Sequence, residues 1–238
     1  MNENINVKEF YVNAKLIGFT QPVEELSNKG IDDAQELIAY CARVSNPSNQ
    51  LNTATSKKLI DYLIKHKHWS PLDMVDVICE IEVTRDIGRQ ILRHLSFRFQ
   101  EFSQRYADPT SELGFVYRNA RFQDQKNRQN SFELDINDPK QAQIASEWIE
   151  RQKNIINQCY ETYTWAIENG IAKEEARVVL PEGLTMSRLY MKGSIRSWIH
   201  YLEVRLGNGT QHEHSEIAKQ LANVISKIVP SINEFVAK

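Results

Sequence analysis

Residues 85–106 read R-D-I-G-R-Q-I-L-R-H-L-S-F-R-F-Q-E-F-S-Q-R-Y, with five arginines interleaved among large apolar side chains. A segment of this composition must bury apolar surface and present cations at the same time. Arginine binds phosphate through parallel N–H donors. The stretch therefore predicts a structured site for a small phosphorylated ligand, around which the other elements are arranged.

The first half of this stretch has the periodicity of a helix. Ile87, Ile91 and Leu95 recur every four residues and predict an inward face, while Arg89 and Arg93 recur at the same spacing on its flank. That flank would present two guanidinium groups together.

The second half has a period of two. Phe97 and Phe99 alternate with polar residues, which is typical of an extended segment. We therefore expect the helix to end within residues 94–96, and residues 103–105 to lie on a loop or a short strand.

Length and composition limit the class of protein. With 238 residues and 41% hydrophobic content, the chain can form one domain over residues 1–238. Its net charge of −2 argues against a nucleic-acid partner, and the lack of a long apolar run argues against a membrane partner. We expect a cytoplasmic protein in which Cys41, Cys79 and Cys159 are buried thiols rather than disulfides or zinc ligands.

Local patterns predict an α+β fold, a single domain with a mixed or antiparallel sheet flanked by helices. Alternation predicts strands at 12–16 and 77–83, and residues 107–140 are expected to be a loop. Helical periodicity predicts helices in five further regions. The first is 32–44, with a cap at Asp32 or Asp33, and the second is a helix that begins with Ser56 as its cap. The others are 144–168, a helix that is capped by Ser194 and ends before Gly207, and a last helix that bears Ile217 and Ile228.

Several other kinds of site are disfavoured. His212 and His214 do not share a helical face and have no third ligand nearby, so no metal is expected. Ser103 lies in no G-x-S-x-G turn, so we expect it to bind rather than to act as a nucleophile. Neither a dinucleotide-binding nor a P-loop glycine motif occurs.

The arginine-rich stretch contains R-H-x-S-F-x-F-Q-E-F-S-Q-R-Y, which resembles the signature of the flavin-dependent thymidylate synthase family. Further segments resemble that family in the same order and cover most of the chain. They are A-R-V-S at 42–45, H-W-S-P at 68–71, K-N-R-Q at 126–129, and G-S-I-R-S-W-I-H-Y-L-E-V-R with G-T-Q-x-E-H within 193–214.

The resemblance implies an enzyme that reductively methylates dUMP to dTMP. It implies a homotetramer that binds FAD where subunits meet, with dUMP nearby. The one-carbon unit would come from 5,10-methylenetetrahydrofolate and the electrons from NADPH, with no cysteine nucleophile.

The resemblance also assigns roles by motif position. Arg205, near the uracil, and His68, on the substrate and folate side, would be the catalytic residues. The residues implied to bind dUMP are Gln90, Arg93, Glu101, Ser103, Gln104, Arg105, Arg177 and Arg205. The residues implied to bind FAD are Ser45, Ser70, Asp73, Arg93, His94, Leu95, Ser194, Arg196 and His200.

Elementary chemistry agrees with these roles. Backbone N–H groups of Ser103 and Gln104, with Arg105 and Arg177, would make a phosphate cradle. Carbon addition to uracil places negative charge on the ring, which the guanidinium of Arg205 would stabilise.

The chain departs from the family pattern at four positions. Leu95 replaces an arginine, Arg98 a common serine, Asp73 a usual glutamate and Met74 a usual histidine. Losing the cation at position 95 should weaken phosphate binding by about 1.5–3 kcal/mol. We hypothesise that Arg98 restores this charge, by emerging beside position 95 if the helix continues another turn. The alternatives are a related flavin enzyme that adds a different one-carbon group to a pyrimidine nucleotide, and a catalytically silent nucleotide- or RNA-binding paralogue.

Overall fold

The computed structural model describes residues 5–233. The strands are β1 Val7–Glu9, β2 Asn13–Phe19, β3 Asp76–Thr84, β4 Arg98–Glu101, β5 Phe115–Tyr117, β6 Arg121–Gln123, β7 Ser131–Glu133 and β8 Met186–Ser194. The helices are α1 Glu24–Ser27, α2 Ala34–Ala42, α3 Ser56–Lys65, α4 Arg85–Ile91, α5 Pro109–Glu112, α6 Pro139–Glu168, α7 Lys173–Ala176, α8 Ile195–Arg205 and α9 His212–Ile225.

The strands form both parallel and antiparallel pairs. A four-stranded sheet has the order β2-β3-β8-β4. β1 pairs in parallel with β5, with Val7 opposite Phe115, while β6 and β7 form an antiparallel pair with Arg121 opposite Glu133. The predicted α+β class is confirmed.

The chain divides into two compact units, each built from separate segments. The first unit comprises the residues up to Asn13 together with Glu82–Arg93 and Gln100–Leu189; the second comprises Ala14–Ile81, His94–Phe99 and the residues from Tyr190 onward. The first has a core that includes Phe115, Ile156 and Tyr163. The single domain over residues 1–238 stays a prediction.

Elements with a strong local pattern lie where the sequence predicts them. Val77, Cys79, Ile81 and Val83 of β3 are fully buried, as strict alternation requires. In α2, the side chain of Asp33 accepts from Glu36 N in a capping box. Likewise the hydroxyl of Ser194 accepts from Ser197 N at the start of α8.

The arginine-bearing helix is shorter than predicted. α4 ends at Ile91, not within residues 94–96, and a turn follows in which Phe97 N donates to His94 O at 3.1 Å. Phe97 is buried, with its ring centroid 4.7 Å from that of Trp198. This aromatic contact stabilises the turn in place of another turn of helix.

Other boundaries also differ. Thr55, not Ser56, is the N-cap of α3, because a short 3₁₀ helix, Thr53–Thr55, runs directly into it. α6 begins at Pro139 rather than 144, since proline suits a first helical position and Asp138 caps it. Residues 107–140 are not wholly a loop, because they contain α5, β5, β6, β7 and the start of α6. β8 is a strand that the periodicity analysis missed.

The cysteines are free thiols. Cys79 is buried, whereas Cys41 and Cys159 are only partly buried. Among the described residues, none of the helices is both long enough and apolar enough to cross a bilayer.

Gly193 lies so close to the ring of Phe97 that a substitution there tests the packing of the second unit. A Cβ at this position would lie 2.5 Å from Cδ1 of Phe97. We expect Gly193→Ala to destabilise the protein by roughly 1–3 kcal/mol, because the ring has to move. Gly18→Ala is the matched control, since a Cβ there meets nothing within 4 Å. Urea unfolding curves measure both, and equal midpoints would show that the ring is free to shift.

Candidate active site

Glu101 is held by an arginine and a serine of the first unit. Nη1 of Arg85 lies 3.4 Å from its Oε1, and Ser187 Oγ donates to the same oxygen at 3.2 Å. The Arg85 side chain is almost fully buried, and this burial, ahead of the charges around it, lowers its pKa. Glu101 therefore presents an oriented carboxylate, fixed by a cation and a hydroxyl.

Arg89 and Glu182 extend this cluster toward solvent. Arg89 Nη2 lies 3.3 Å from Glu182 Oε1, and its Nη1 lies 3.9 Å from Glu101 Oε2. The cation of Arg177 acts on Arg85, contributing to the lowered pKa of that guanidinium. Arg85, Arg89, Arg177 and Glu101 thus form one charged cluster of the first unit, in which Arg85 is buried.

The turn at residues 103–105 has two features that bear on ligand binding. Gln104 is only 4% exposed, and its Nε2 has no hydrogen-bond partner among the described residues. Arg105 donates to Glu174 Oε2 from Nε at 2.8 Å, with Nη2 at 2.7 Å. Both side chains of this pair are about half exposed, so a phosphate would displace Glu174 at a cost of roughly 1 kcal/mol or less.

Gln90 and Arg93 are placed by the end of α4. Gln90 belongs to the last turn of the helix and is half-buried, while Arg93 lies in the turn that follows and is exposed. Every residue implied to bind dUMP belongs to the first unit except Arg205.

In the second unit, Asp73 bonds to two other residues that are implied to bind FAD, Ser194 and Arg196. Its Oδ1 accepts from Ser194 Oγ at 2.7 Å, and its Oδ2 accepts from Arg196 Nη1 at 3.0 Å. Asp73 lies in a 3₁₀ helix that begins at Ser70. The aspartate, although shorter than the usual glutamate, thus fixes the first turn of α8. Met74 is exposed, and no described contact explains its presence.

His94 and Arg205 are directly bonded. Arg205 Nε donates to His94 Nε2 at 2.9 Å, so the imidazole accepts at Nε2 and carries its proton on Nδ1. Burial and the charge of Arg205 lower the pKa of His94 to about 4. The His94 side chain is therefore neutral at physiological pH.

Tyr201 and His214 lie behind this pair. The hydroxyl of Tyr201 and Nε2 of His214 are 3.1 Å apart in the core, and the ring of Tyr201 packs edge-on against His94 at 4.9 Å. Burial, with the charge of Arg205 next, lowers the pKa of His214 to about 3. The pattern analysis missed Tyr201 as a support, although it lies four residues before Arg205 on α8 and so on the same helical face.

The remaining histidines are more accessible. His200 packs its ring edge-on against Trp69 at 4.5 Å, with Nδ1 3.3 Å from Glu203 Oε2. His68 is exposed three residues beyond the end of α3, with its ring 6.0 Å from that of Tyr62.

Ser45 lines a cavity of the second unit. The cavity has a volume of about 470 Å³, and Lys58, Asn46 and Asn49 also line it. A cation, amides and a hydroxyl make this cavity suitable for a polar, anionic group.

Arg98 reaches Leu95, but not through a helix. It is the first residue of β4, and its Nη1 donates to Leu95 O at 3.3 Å and to Phe97 O at 3.0 Å. The Leu95 side chain is 86% exposed. The expectation that a further turn of helix places Arg98 beside position 95 is wrong. The tight turn nevertheless brings the guanidinium of Arg98 to the backbone of Leu95.

The fold and these clusters define an α+β protein in which several arginine side chains lie together in the first unit. The chain belongs to the thymidylate synthase complementing protein family, whose model matches residues 26–231. It is 47% identical over 221 residues, 93% of this chain and 97% of the relative, to a protein of Paramecium bursaria Chlorella virus 1 named "Probable flavin-dependent thymidylate synthase". A flavin-dependent thymidylate synthase of Synechocystis is 42% identical over 222 residues, again 93% of this chain and 97% of the relative.

Solved structures share the fold. The UMP/dUMP methylase PolB from Streptomyces cacaoi, bound with 5-Br dUMP, has a TM-score of 0.76 at 20% identity over 98% of this chain and 97% of that one. The same methylase bound with 5-Br UMP has a TM-score of 0.77 at 21% identity, covering 98% and 96%. The family resemblance drawn from the motifs is confirmed.

Proposed function

We propose that this chain is a flavin-dependent thymidylate synthase that reductively methylates dUMP to dTMP. The observation that carries the proposal is the 47% identity, over 93% of the chain, with a relative of that name. FAD is the proposed cofactor, 5,10-methylenetetrahydrofolate the carbon donor and NADPH the reductant. We further propose a homotetramer with sites where subunits meet.

The first unit supplies the proposed phosphate and sugar contacts of dUMP. Arg93, Arg105 and Arg177 are the cations, and Glu101, fixed by Arg85, offers a carboxylate to a sugar hydroxyl or to the base. The buried Nε2 of Gln104 lacks a partner among the described residues, which supports a ligand acceptor beside this turn. Gln90 and Ser103 complete the proposed dUMP set.

The second unit supplies most of the proposed FAD contacts. The cavity lined by Ser45 and Lys58 has a volume suited to part of a dinucleotide. Asp73 fixes Ser194 and Arg196 as donors, and His200 adds an aromatic surface beside Trp69. Ser70, His94, Leu95 and Arg93 complete the proposed FAD set.

The proposed mechanism rests on charge development at the pyrimidine. The bound flavin would supply hydride chemistry. Carbon addition to uracil makes the ring anionic, and the guanidinium of Arg205 stabilises that charge as it forms. His94, neutral and protonated on Nδ1, orients Arg205 through Nε2 without adding a second positive charge. His68 is proposed to act on the substrate and folate side.

The visible absorption spectrum of the purified protein tests this proposal first. We expect a flavin spectrum that shifts when dUMP is added, and anaerobic turnover that yields dTMP when methylenetetrahydrofolate and NADPH are supplied. A colourless protein that takes up no added FAD would favour a nucleotide- or RNA-binding protein. A different methylated or one-carbon product would favour the related flavin enzyme. UMP as a parallel substrate separates a specific dUMP methylase from a broader one.

The turn around Leu95 gives a separate prediction. We expect Arg98→Ser to weaken FAD binding about tenfold, because it removes the only guanidinium that contacts the backbone of residue 95 among the described residues. The double variant Leu95→Arg, Arg98→Ser should restore wild-type affinity and turnover. Flavin fluorescence titration measures both. If the double variant turns over much faster than the wild type, the natural pair of Leu95 and Arg98 lowers activity, and Arg98 does not compensate for the charge missing at position 95.

A further inference from the structure

α4 is too short to be stable by itself. It has seven residues, and an isolated helix of that length is marginal in water. Its N-cap, Thr84, makes no side-chain hydrogen bond to a backbone N–H of the first turn. Two backbone bonds hold this end instead, from Arg85 N to Thr185 O at 3.1 Å and from Asp86 N to Glu182 O at 3.3 Å. The position of α4 therefore depends on residues outside the helix.

Arg118, which directly follows β5, bonds to the first turn of α4. Its Nη1 donates to Asp86 Oδ2 at 2.9 Å and its Nη2 donates to Asp86 Oδ1 at 2.7 Å, which makes a bidentate pair. Nη2 also donates to Thr84 Oγ1 at 2.6 Å. Only 18% of the Arg118 side chain is exposed, and its guanidinium lies 5.2 Å from the ring centroid of Phe10. Removing one member of such a shielded pair leaves the other charge uncompensated, which disturbs the structure far more than losing a surface pair.

The backbone of Arg118 is fixed as well. Gln152 of α6 is only 2% exposed, and its side chain accepts from Arg118 N at 2.8 Å and donates to Arg118 O at 2.8 Å. The Nε of Arg118 is buried without a hydrogen-bond partner among the described residues, so the Nη donors set the orientation of the guanidinium. Arg118 therefore links the long helix α6 to the start of α4, within the first unit.

The side chains that α4 carries connect this link to the proposed dUMP site. Arg85 Nη1 lies 3.4 Å from Glu101 Oε1, and Arg89 Nη1 lies 3.9 Å from Glu101 Oε2. Gln90 belongs to the last turn of the same helix. A shift of the first turn of α4 would therefore displace the support of Glu101 and the side chain of Gln90 together.

We propose that Arg118 is a positioning residue for dUMP binding, an assignment that rests on the proposed function. Arg118 fixes Asp86 and Thr84, and through them the helix that orients Glu101 and Gln90. It does not contact the nucleotide in this role, because its Nη groups are directed at Asp86 and Thr84.

Titration of the FAD-loaded full chain with dUMP tests the assignment, together with steady-state kinetics of dTMP formation. We expect Arg118→Gln to raise the Kd and the KM for dUMP about tenfold, while kcat at saturating dUMP and the affinity for FAD change less than about threefold. Arg118→Lys should recover part of the dUMP affinity, because an ammonium keeps the charge but not the two parallel donors.

Asp86→Asn distinguishes positioning from direct contact. If Arg118 bound the phosphate of dUMP itself, removing the neighbouring carboxylate would leave dUMP affinity unchanged or raise it. If Arg118 acts through Asp86, Asp86→Asn weakens dUMP binding, and the double variant with Arg118→Gln binds dUMP no more weakly than the weaker single variant.

Ile156→Ala is the matched control for a general loss of stability. Ile156 lies on α6, four residues after Gln152, in the apolar core of the first unit, and its truncation leaves a cavity there. We expect it to lower the urea midpoint but to change the Kd for dUMP less than about twofold.

Three outcomes would overturn the assignment alone: wild-type dUMP affinity in Arg118→Gln, unchanged or tighter dUMP binding in Asp86→Asn, or an equal loss of dUMP affinity in Ile156→Ala. If Arg118→Gln does not fold, as judged by circular dichroism, Arg118→Lys and Asp86→Asn provide the same comparison. A wild-type protein that binds FAD but no dUMP would overturn the proposed function, and this assignment with it.

Discussion

Arg205→Ala is expected to lower kcat/KM for dUMP methylation by about 10²–10³-fold, the usual effect of removing one donor from a developing anion. Arg205→Lys should recover only part of this loss, because an ammonium keeps the charge but not the planar fork. The structure adds a second consequence. Without the guanidinium, His94 loses both the donor to Nε2 and a nearby positive charge.

The pH profile distinguishes this role from a purely structural one. The pKa of His94, about 4 in the wild type, should rise in Arg205→Ala toward its ordinary value near 6.5, because one of its two causes is removed. The pH profile of the remaining activity should therefore show a new inflection on the acidic side, where His94 gains a proton. A proton NMR titration of the His94 ring measures the pKa directly.

Arg151→Ala is the matched control for Arg205→Ala. Arg151 is an exposed arginine of α6 that pairs with Glu147 at 2.6 Å, and its loss should change turnover less than twofold. Wild-type turnover in Arg205→Ala, with FAD and dUMP bound, would exclude Arg205 from the chemistry.

Much of the fold could be predicted from the sequence because its elements carry their own pattern. β3 alternates strictly, and α8 follows a polar cap with a continuous apolar face. In both elements the pattern comes from residues that are close to each other in the sequence. Such elements are recognisable without knowledge of their partners.

The missed elements depend on distant partners. β8 reads M-S-R-L-Y-M-K-G-S, where Ser187 and Gly193 are buried but are not apolar in the usual sense. Their burial comes from Glu101 and Phe97, which are far away in sequence. β8 does alternate in burial, but two of the four residues on its buried side are not apolar, so the alternation is weak in the sequence.

The sequence predicts which residues belong to the candidate site, and this membership stays a prediction, but it does not predict how their side chains are arranged. The motifs pointed to His94 and Arg205 separately, yet these residues are 111 positions apart and no local pattern indicates their hydrogen bond. The same is true of Arg98, which reaches Leu95 because Phe97 is buried and forces a tight turn. Side-chain pairs of this type follow from packing, which a single sequence does not display.

The buried His214 should make the stability of the protein depend on pH. Its side chain is fully buried and its pKa is about 3, against about 6.5 when exposed. As the pH falls below about 6.5, the unfolded state takes up a proton that the folded state refuses. The contribution is therefore fully present above pH 6.5 and is lost progressively toward pH 3. Between pH 6.5 and 4.5, this residue alone should remove about 2 kcal/mol from the free energy of unfolding.

His214→Gln isolates this contribution. Glutamine cannot titrate but can still bond to the hydroxyl of Tyr201, so we expect a flatter dependence of unfolding free energy on pH than in the wild type. His94 is shifted in the same direction and remains in both proteins, so the difference between them reports His214. His212→Gln, two residues earlier and exposed, is the control and should follow the wild-type profile. Urea unfolding at one protein concentration from pH 4.5 to 8 measures all three. Parallel profiles for the wild type and His214→Gln would mean that the folded protein protonates His214 readily, and that the core around Tyr201 admits water.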